Sequence, residues 1–103
     1  MKTLGAGPAS RADRPASELL HDEANVRVVA FHLLPGQRIA PHNSPSTVLV
    51  QVVSGSGRFH GAEDDALLTA GQSAVYAPGE MHAIDAIDEP LRFLAIITPR
   101  PGG

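Results

Sequence analysis

The five histidines, His21, His32, His42, His60 and His82, carry most of the chemistry this chain can offer, because it contains no cysteine. Without a thiolate there is no disulfide, iron–sulfur cluster or thiol nucleophile, and any metal has to be held by nitrogen and oxygen donors. Side-chain alternation along extended backbone separates the histidines from one another. Between Met81 and Ile87, His82 shares a face with Ile84 and Ala86 while Asp85 takes the other face, which turns His82 toward the core. Parity carried back from Val48, Val50 and Val52 puts His42 and Ser44 on that apolar face, provided no bulge near Pro45 shifts the phase. His32 alternates with Ala30 and Leu34 in a segment apolar on both sides, and reads as a structural or interface histidine. Phe59 takes the inside beside the turn that follows, leaving His60 exposed. His21 lies in a polar stretch and reads as a surface residue.

The remaining polar motifs have ordinary explanations. Tyr76, the one phenol, could donate to a ligand, and a strand tyrosine near a rim also packs with a wet tip. Glu63, Asp64 and Asp65 form an acidic run where a hairpin turn needs polar residues anyway. Gly55 and Gly57 mark a turn and no phosphate loop, since no helix start follows. No serine has the Gly-x-Ser-x-Gly setting of a hydrolase elbow.

Short strands must position these side chains. Val26 to Leu34 is β-branched and aromatic and stops at Pro35-Gly36; Thr47 to Val53 is the clearest strand and stops at Gly55. Strands are also predicted from Arg58, over 66–70, 73–77, 81–87 and 91–98, with turns at 61–65, 71–72, 78–79 and 88–90. Residues 18–25 fit a helical turn or a short strand equally well. Seven to nine short strands, with a turn signal about every 8–12 residues, indicate an all-β sandwich or barrel. Residues 1–17, rich in Gly, Ala, Pro, Ser and Arg, are expected to form a flexible arm, 18–98 the domain, and 99–103 a disordered end.

Composition removes other functions. At 103 residues the chain fits one domain. Eight Lys and Arg against eleven Asp and Glu give a net charge of −3 with no basic cluster, which argues against nucleic acid and anionic membrane as partners. No run approaches the roughly 20 apolar residues of a membrane span, and the N-terminus lacks a secretory apolar stretch, so a cytoplasmic location is expected. Val28, Ala30 and Leu34 oppose Val29, Phe31 and Leu33 on a strand apolar on both faces. A second cover is therefore needed, either the arm or another subunit, and a homodimer through a sheet face is predicted.

Two stretches together resemble the cupin superfamily. Gly36, His42 and Gly55 fall on its first motif, and Gly71, Gly79 and His82 on its second, with the proline displaced by one place to Pro78. The resemblance covers roughly residues 26–98. It implies a cupin-type jelly-roll β-barrel, usually dimeric, with a small-molecule or metal pocket inside one end. Cupin metal sites typically use two histidines and a glutamate from the first motif and a histidine from the second. Here Ser44 and Val48 stand at the second histidine and glutamate positions, and Ala86 at the final asparagine position.

His42 and His82 thus carry over as metal ligands, for one divalent ion such as zinc, nickel, iron or manganese. A catalytic site normally offers three protein ligands; Ser44, Glu80 or a side chain from another strand could supply the third, while alternation turns Gln51 away. Two readings follow. In one, the barrel binds a small polar or anionic molecule against His42 and His82, with or without the metal, and with Tyr76, Phe59 and Val50 among the contacts. Its apolar walls would come from Val48, Val50, Val52, Phe59, Ile84 and Phe93. If it is an enzyme, oxygenase, isomerase and lyase chemistry are equally open. In the other, the barrel is a non-enzymatic sensor or structural module that has lost the metal site.

Overall fold

The computed structural model describes residues 1–101 and shows nine strands. They are β1 (Ala16–Glu23), β2 (Val26–Leu33), β3 (Arg38–His42), β4 (Thr47–Ser54), β5 (Ser56–His60), β6 (Asp65–Thr69), β7 (Ser73–Tyr76), β8 (His82–Asp85) and β9 (Leu91–Thr98). One sheet has the order β1-β2-β9-β4-β7 and the other β3-β8-β5-β6, and every pairing is antiparallel. Among the described residues no helix is long and apolar enough to cross a membrane.

Period-two alternation decides which face of each strand is inside. In β4, Val48, Val50 and Val52 are buried while Thr47, Leu49 and Gln51 are half-exposed. In β9 the buried set is Leu91, Phe93 and Ala95. Phe93 ties the sheets together: its ring stacks on Phe31 of β2 at 4.8 Å and meets Phe59 of β5 edge-on at 5.3 Å. Burying a side chain of this size contributes about 1.5–3 kcal/mol, so this trio and its aliphatic neighbours supply much of the cohesion.

Two strands differ from expectation. The ambiguous segment 18–25 is the greater part of β1, which starts at Ala16 and runs beside β2. β3 had no strand signature, because Pro41 stands inside it. Proline is tolerated there since β3 is an edge strand carrying a bulge.

The N-terminal residues lie across the outer face of β2 and β9. The Pro8 carbonyl accepts from His32 Nδ1 at 3.3 Å and from Arg92 at 3.4 Å, and the Arg11 carbonyl accepts from the Gln37 amide at 2.6 Å. His32 is therefore a buried structural histidine beneath the arm. The expectation of disorder over 99–103 falls partly on Gly102 and Gly103, which lie outside the described residues. Before them, the Ser46 hydroxyl donates to the Pro99 carbonyl, fastening this segment to the β3–β4 loop.

A candidate ligand pocket with a histidine pair

His42 ends β3 and His82 begins β8, and the two are direct cross-strand partners. The register explains how they meet. Ile39 pairs with Ile84, yet His42 pairs with His82, so β3 spends three steps where β8 spends two. This β-bulge sends Pro41 to the outer groove of the sheet and turns His42 inward. The phase shift therefore sits within β3, ahead of Pro45.

The imidazole centroids are 4.0 Å apart with the planes at 65°. Each ring is fixed in the same way: His42 Nδ1 donates to the Ala40 carbonyl at 2.9 Å and His82 Nδ1 to the Glu80 carbonyl at 3.2 Å. A carbonyl can only accept, so both Nδ1 atoms carry hydrogen and each neutral ring keeps its lone pair on Nε2. Burial pushes the His82 pKa down, the hydrogen bond to the Glu80 backbone works against this, and the adjacent His42 lowers it further.

The pair stands at one end of a cavity of about 340 Å³ between the sheets. Its walls are hydrocarbon: Phe31, Ile39, Val48, Val50, Ile84 and Phe93, with Ala95 and Ile97 beyond. Asn43 and Ser44 add polar groups beside the histidines, and Pro101 lies at the margin. No lysine, arginine, aspartate or glutamate lines it among the described residues.

The expected contacts are only partly brought together. His42, His82 and Val50 line this cavity, as do the wall residues Val48, Ile84 and Phe93. Phe59 and Tyr76 line a separate space of about 140 Å³, and Val52 packs in the core beneath. Tyr76 instead supports His82 from behind, ring on ring at 4.7 Å. Burial, with Glu80 and Asp64 nearby, pushes its phenol up to about 12. Ser44 and Val48 both face the cavity, whereas Ala86 is core. Phe31 was legible from β2 alternation. Ile39 was hidden with β3, and nothing in the sequence marks Asn43.

The donor count does not fit a resident metal of the cupin kind. Among the described residues no group of three or more His, Cys, Asp or Glu side chains could hold an ion. Glu80 is committed to its turn, where its carboxylate accepts from the Ala77 amide at 2.9 Å and the Ala62 amide at 3.4 Å. Ser44 Oγ accepts from the Ser46 amide at 3.2 Å.

His60 differs from its expected exposure. It is half-buried, with Nε2 2.9 Å from Asp85 and Nδ1 3.4 Å from Asp65, in a network joined by Arg38 and Arg58. β5 pairs with β6 and β8, which brings these distant residues together on the outer face of the four-stranded sheet.

Residues 29–97, from β2 to β9, match the family model described as the cupin domain. The chain belongs to this family. Solved cupin structures share its fold. A protein from Thermus thermophilus is 23% identical over 91% of each chain, with a TM-score of 0.86. An RmlC-like cupin protein from Desulfovibrio desulfuricans is 24% identical over 96% of this chain and 97% of its own, with a TM-score of 0.85. An uncharacterised Klebsiella pneumoniae protein with a double-stranded β-helix domain is 28% identical over 95% and 87%, with a TM-score of 0.84. No curated protein matches the chain. Within the cupin pattern, the two lost ligand positions are the ones where this cavity gains its serine and its valine.

Proposed function

We propose that this cupin binds a small molecule in the cavity between its sheets, with His42 and His82 receiving the polar end. The observation that carries this reading is the histidine pair, 4.0 Å apart, at one end of an otherwise apolar cavity. A cavity near 340 Å³ falls at the small end of ligand pockets, which run from about 300 to 1,000 Å³. A space of roughly 150 Å³ already takes benzene, so a substituted ring fits here. The hydrocarbon walls favour a ligand with an apolar body and polarity confined to one end. This modifies the polar or anionic ligand expected from the sequence.

A methyl-detected NMR screen of small ring compounds tests this. Binding should shift the methyls of Val48, Val50 and Ile84 together with the His42 and His82 ring signals. Compounds that bind only outside the cavity, leaving those signals in place, would overturn the reading.

The shared tautomer favours a second reading, in which two Nε2 atoms hold a divalent cation and the ligand completes its coordination. Metal-binding histidines commonly donate their other ring nitrogen to a carbonyl, as both do here. Near-stoichiometric metal in untagged protein, lost in His42→Ala and His82→Ala, would support it. Failure to retain zinc, nickel, iron or manganese after incubation would remove it.

A further inference from the structure

The two imidazoles offer the same half of a hydrogen bond. Each Nδ1 hydrogen is spent on a backbone carbonyl, Ala40 for His42 and Glu80 for His82. What each neutral ring has left for a ligand is the Nε2 lone pair, and the cross-strand pairing sets two such acceptors side by side. The tautomer is imposed by the fold, since local backbone supplies both carbonyls.

A carboxylate or phosphate head is all acceptor and finds no donor in these lone pairs; Asn43 and Ser44 beside them offer only uncharged donors. No arginine or lysine lines the cavity among the described residues to compensate. An ammonium head has donors, yet it would bring an unpaired charge among Val48, Ile84 and Phe93 with no carboxylate on the walls. An uncharged hydroxyl group satisfies every condition at once. Two hydroxyls on neighbouring carbons could satisfy both acceptors.

We infer that the cavity selects uncharged, hydroxyl-bearing ring compounds, whose O–H groups donate to Nε2 of His42 and His82 while the ring lies against the hydrocarbon walls. This rests on the proposed small-molecule site and adds the chemical class of its ligand.

The test uses the wild-type protein with EDTA present, so that no metal mediates the head group. Binding of catechol, phenol, anisole, toluene and benzoate is followed by titration calorimetry and the His ring NMR signals. Catechol and phenol should bind, anisole and toluene about tenfold more weakly than phenol, as expected when the buried His82 acceptor loses its donor, and benzoate most weakly of all. Long-range nitrogen–proton NMR should show hydrogen on Nδ1 of both rings. Toluene or anisole binding as well as phenol would overturn the head-group rule and leave the pocket reading standing. So would benzoate binding as tightly as phenol, or hydrogen on Nε2 of both rings. If none of the five moves the cavity signals, both readings fall.

Discussion

His82 is held on three sides: Tyr76 behind it, His42 beside it and the Glu80 carbonyl on its Nδ1. This confinement has an acid consequence. An unfolded chain takes up the imidazole proton near pH 6.5, before the folded ring with its lowered pKa does. Below that pH the unfolded state binds more protons, so this group's contribution makes stability fall as pH drops from about 7 until the folded ring also titrates. Urea midpoints at pH 7.5, 6.5 and 5.5 should show the decline, and it should be shallower in His82→Gln. Equal slopes in the two proteins would contradict it. Tyr76 gives the mirror image. Its phenol ionises at about 12 in the folded protein against about 10 unfolded, so the unfolded state loses its proton first and stability falls as pH rises above about 10. With one tyrosine and no tryptophan, absorbance near 295 nm reads this residue alone. A folded-state midpoint near 10 would contradict the burial argument. The inward face of His82 was legible, because its neighbours alternate cleanly between Ile84 and Asp85. The setting of His60 was not, since Asp65 and Asp85 reach it only through pairings across three strands.

At the scale of elements, turns set where each strand begins its register. Gly55 joins β4 to β5 with φ of 75°, and a Cβ there would fall on the Pro90 carbonyl. Backbone cannot yield as a flexible side chain can. Gly55→Ala should therefore destabilise the fold by more than about 2 kcal/mol, adding strain at positive φ to the clash. Chemical denaturation measures this, and a loss below about 0.5 kcal/mol would show that the β4–β5 turn can move. Strands with β-branched runs, such as β4 and β9, were readable because composition and alternation agree. β3 was not: its proline argues against a strand in general, and only its place at a sheet edge permits one. Parity carried back from Val48 assumed one continuous strand, whereas His42 and Val48 stand on β3 and β4 of different sheets, and the bulge that turns His42 toward His82 had no signature in the sequence.

Across the whole molecule, the outer face of the five-stranded sheet carries one apolar row. Val28 pairs with Ile96, Ile96 with Leu49 and Leu49 with Val75, so four strands contribute to a continuous line. The arm covers the β1–β2 side of this sheet, with Lys2 at His21 and the following residues around Ala30, His32 and Arg92, and leaves the β9, β4 and β7 part of the row open. We therefore expect a homodimer that buries the uncovered row. Light scattering at micromolar concentration should give about twice the 10.8 kDa chain mass, and Leu49→Lys should return it to the single-chain value while the protein stays folded. A single-chain mass for the wild type would refute the assembly. The row was foreshadowed by the two-sided apolarity of β2. Its extent was not, because it depends on which strands become neighbours.

The extra residue in β3 also has a bearing on how this site could be lost or regained during descent. With Ile39 opposite Ile84, an uninterrupted ladder would set Pro41 against His82. Deleting one codon between Ile39 and His42 would restore the two-for-two count and keep His42 inward against His82, whereas inserting one more there would carry His42 a step beyond His82. Deleting one after His42 would instead disturb the loop that carries Asn43 and Ser44 toward the cavity. Length changes in this short stretch can therefore rewrite the pocket as thoroughly as replacing a histidine, and a lineage could keep every functional residue type while moving it out of reach.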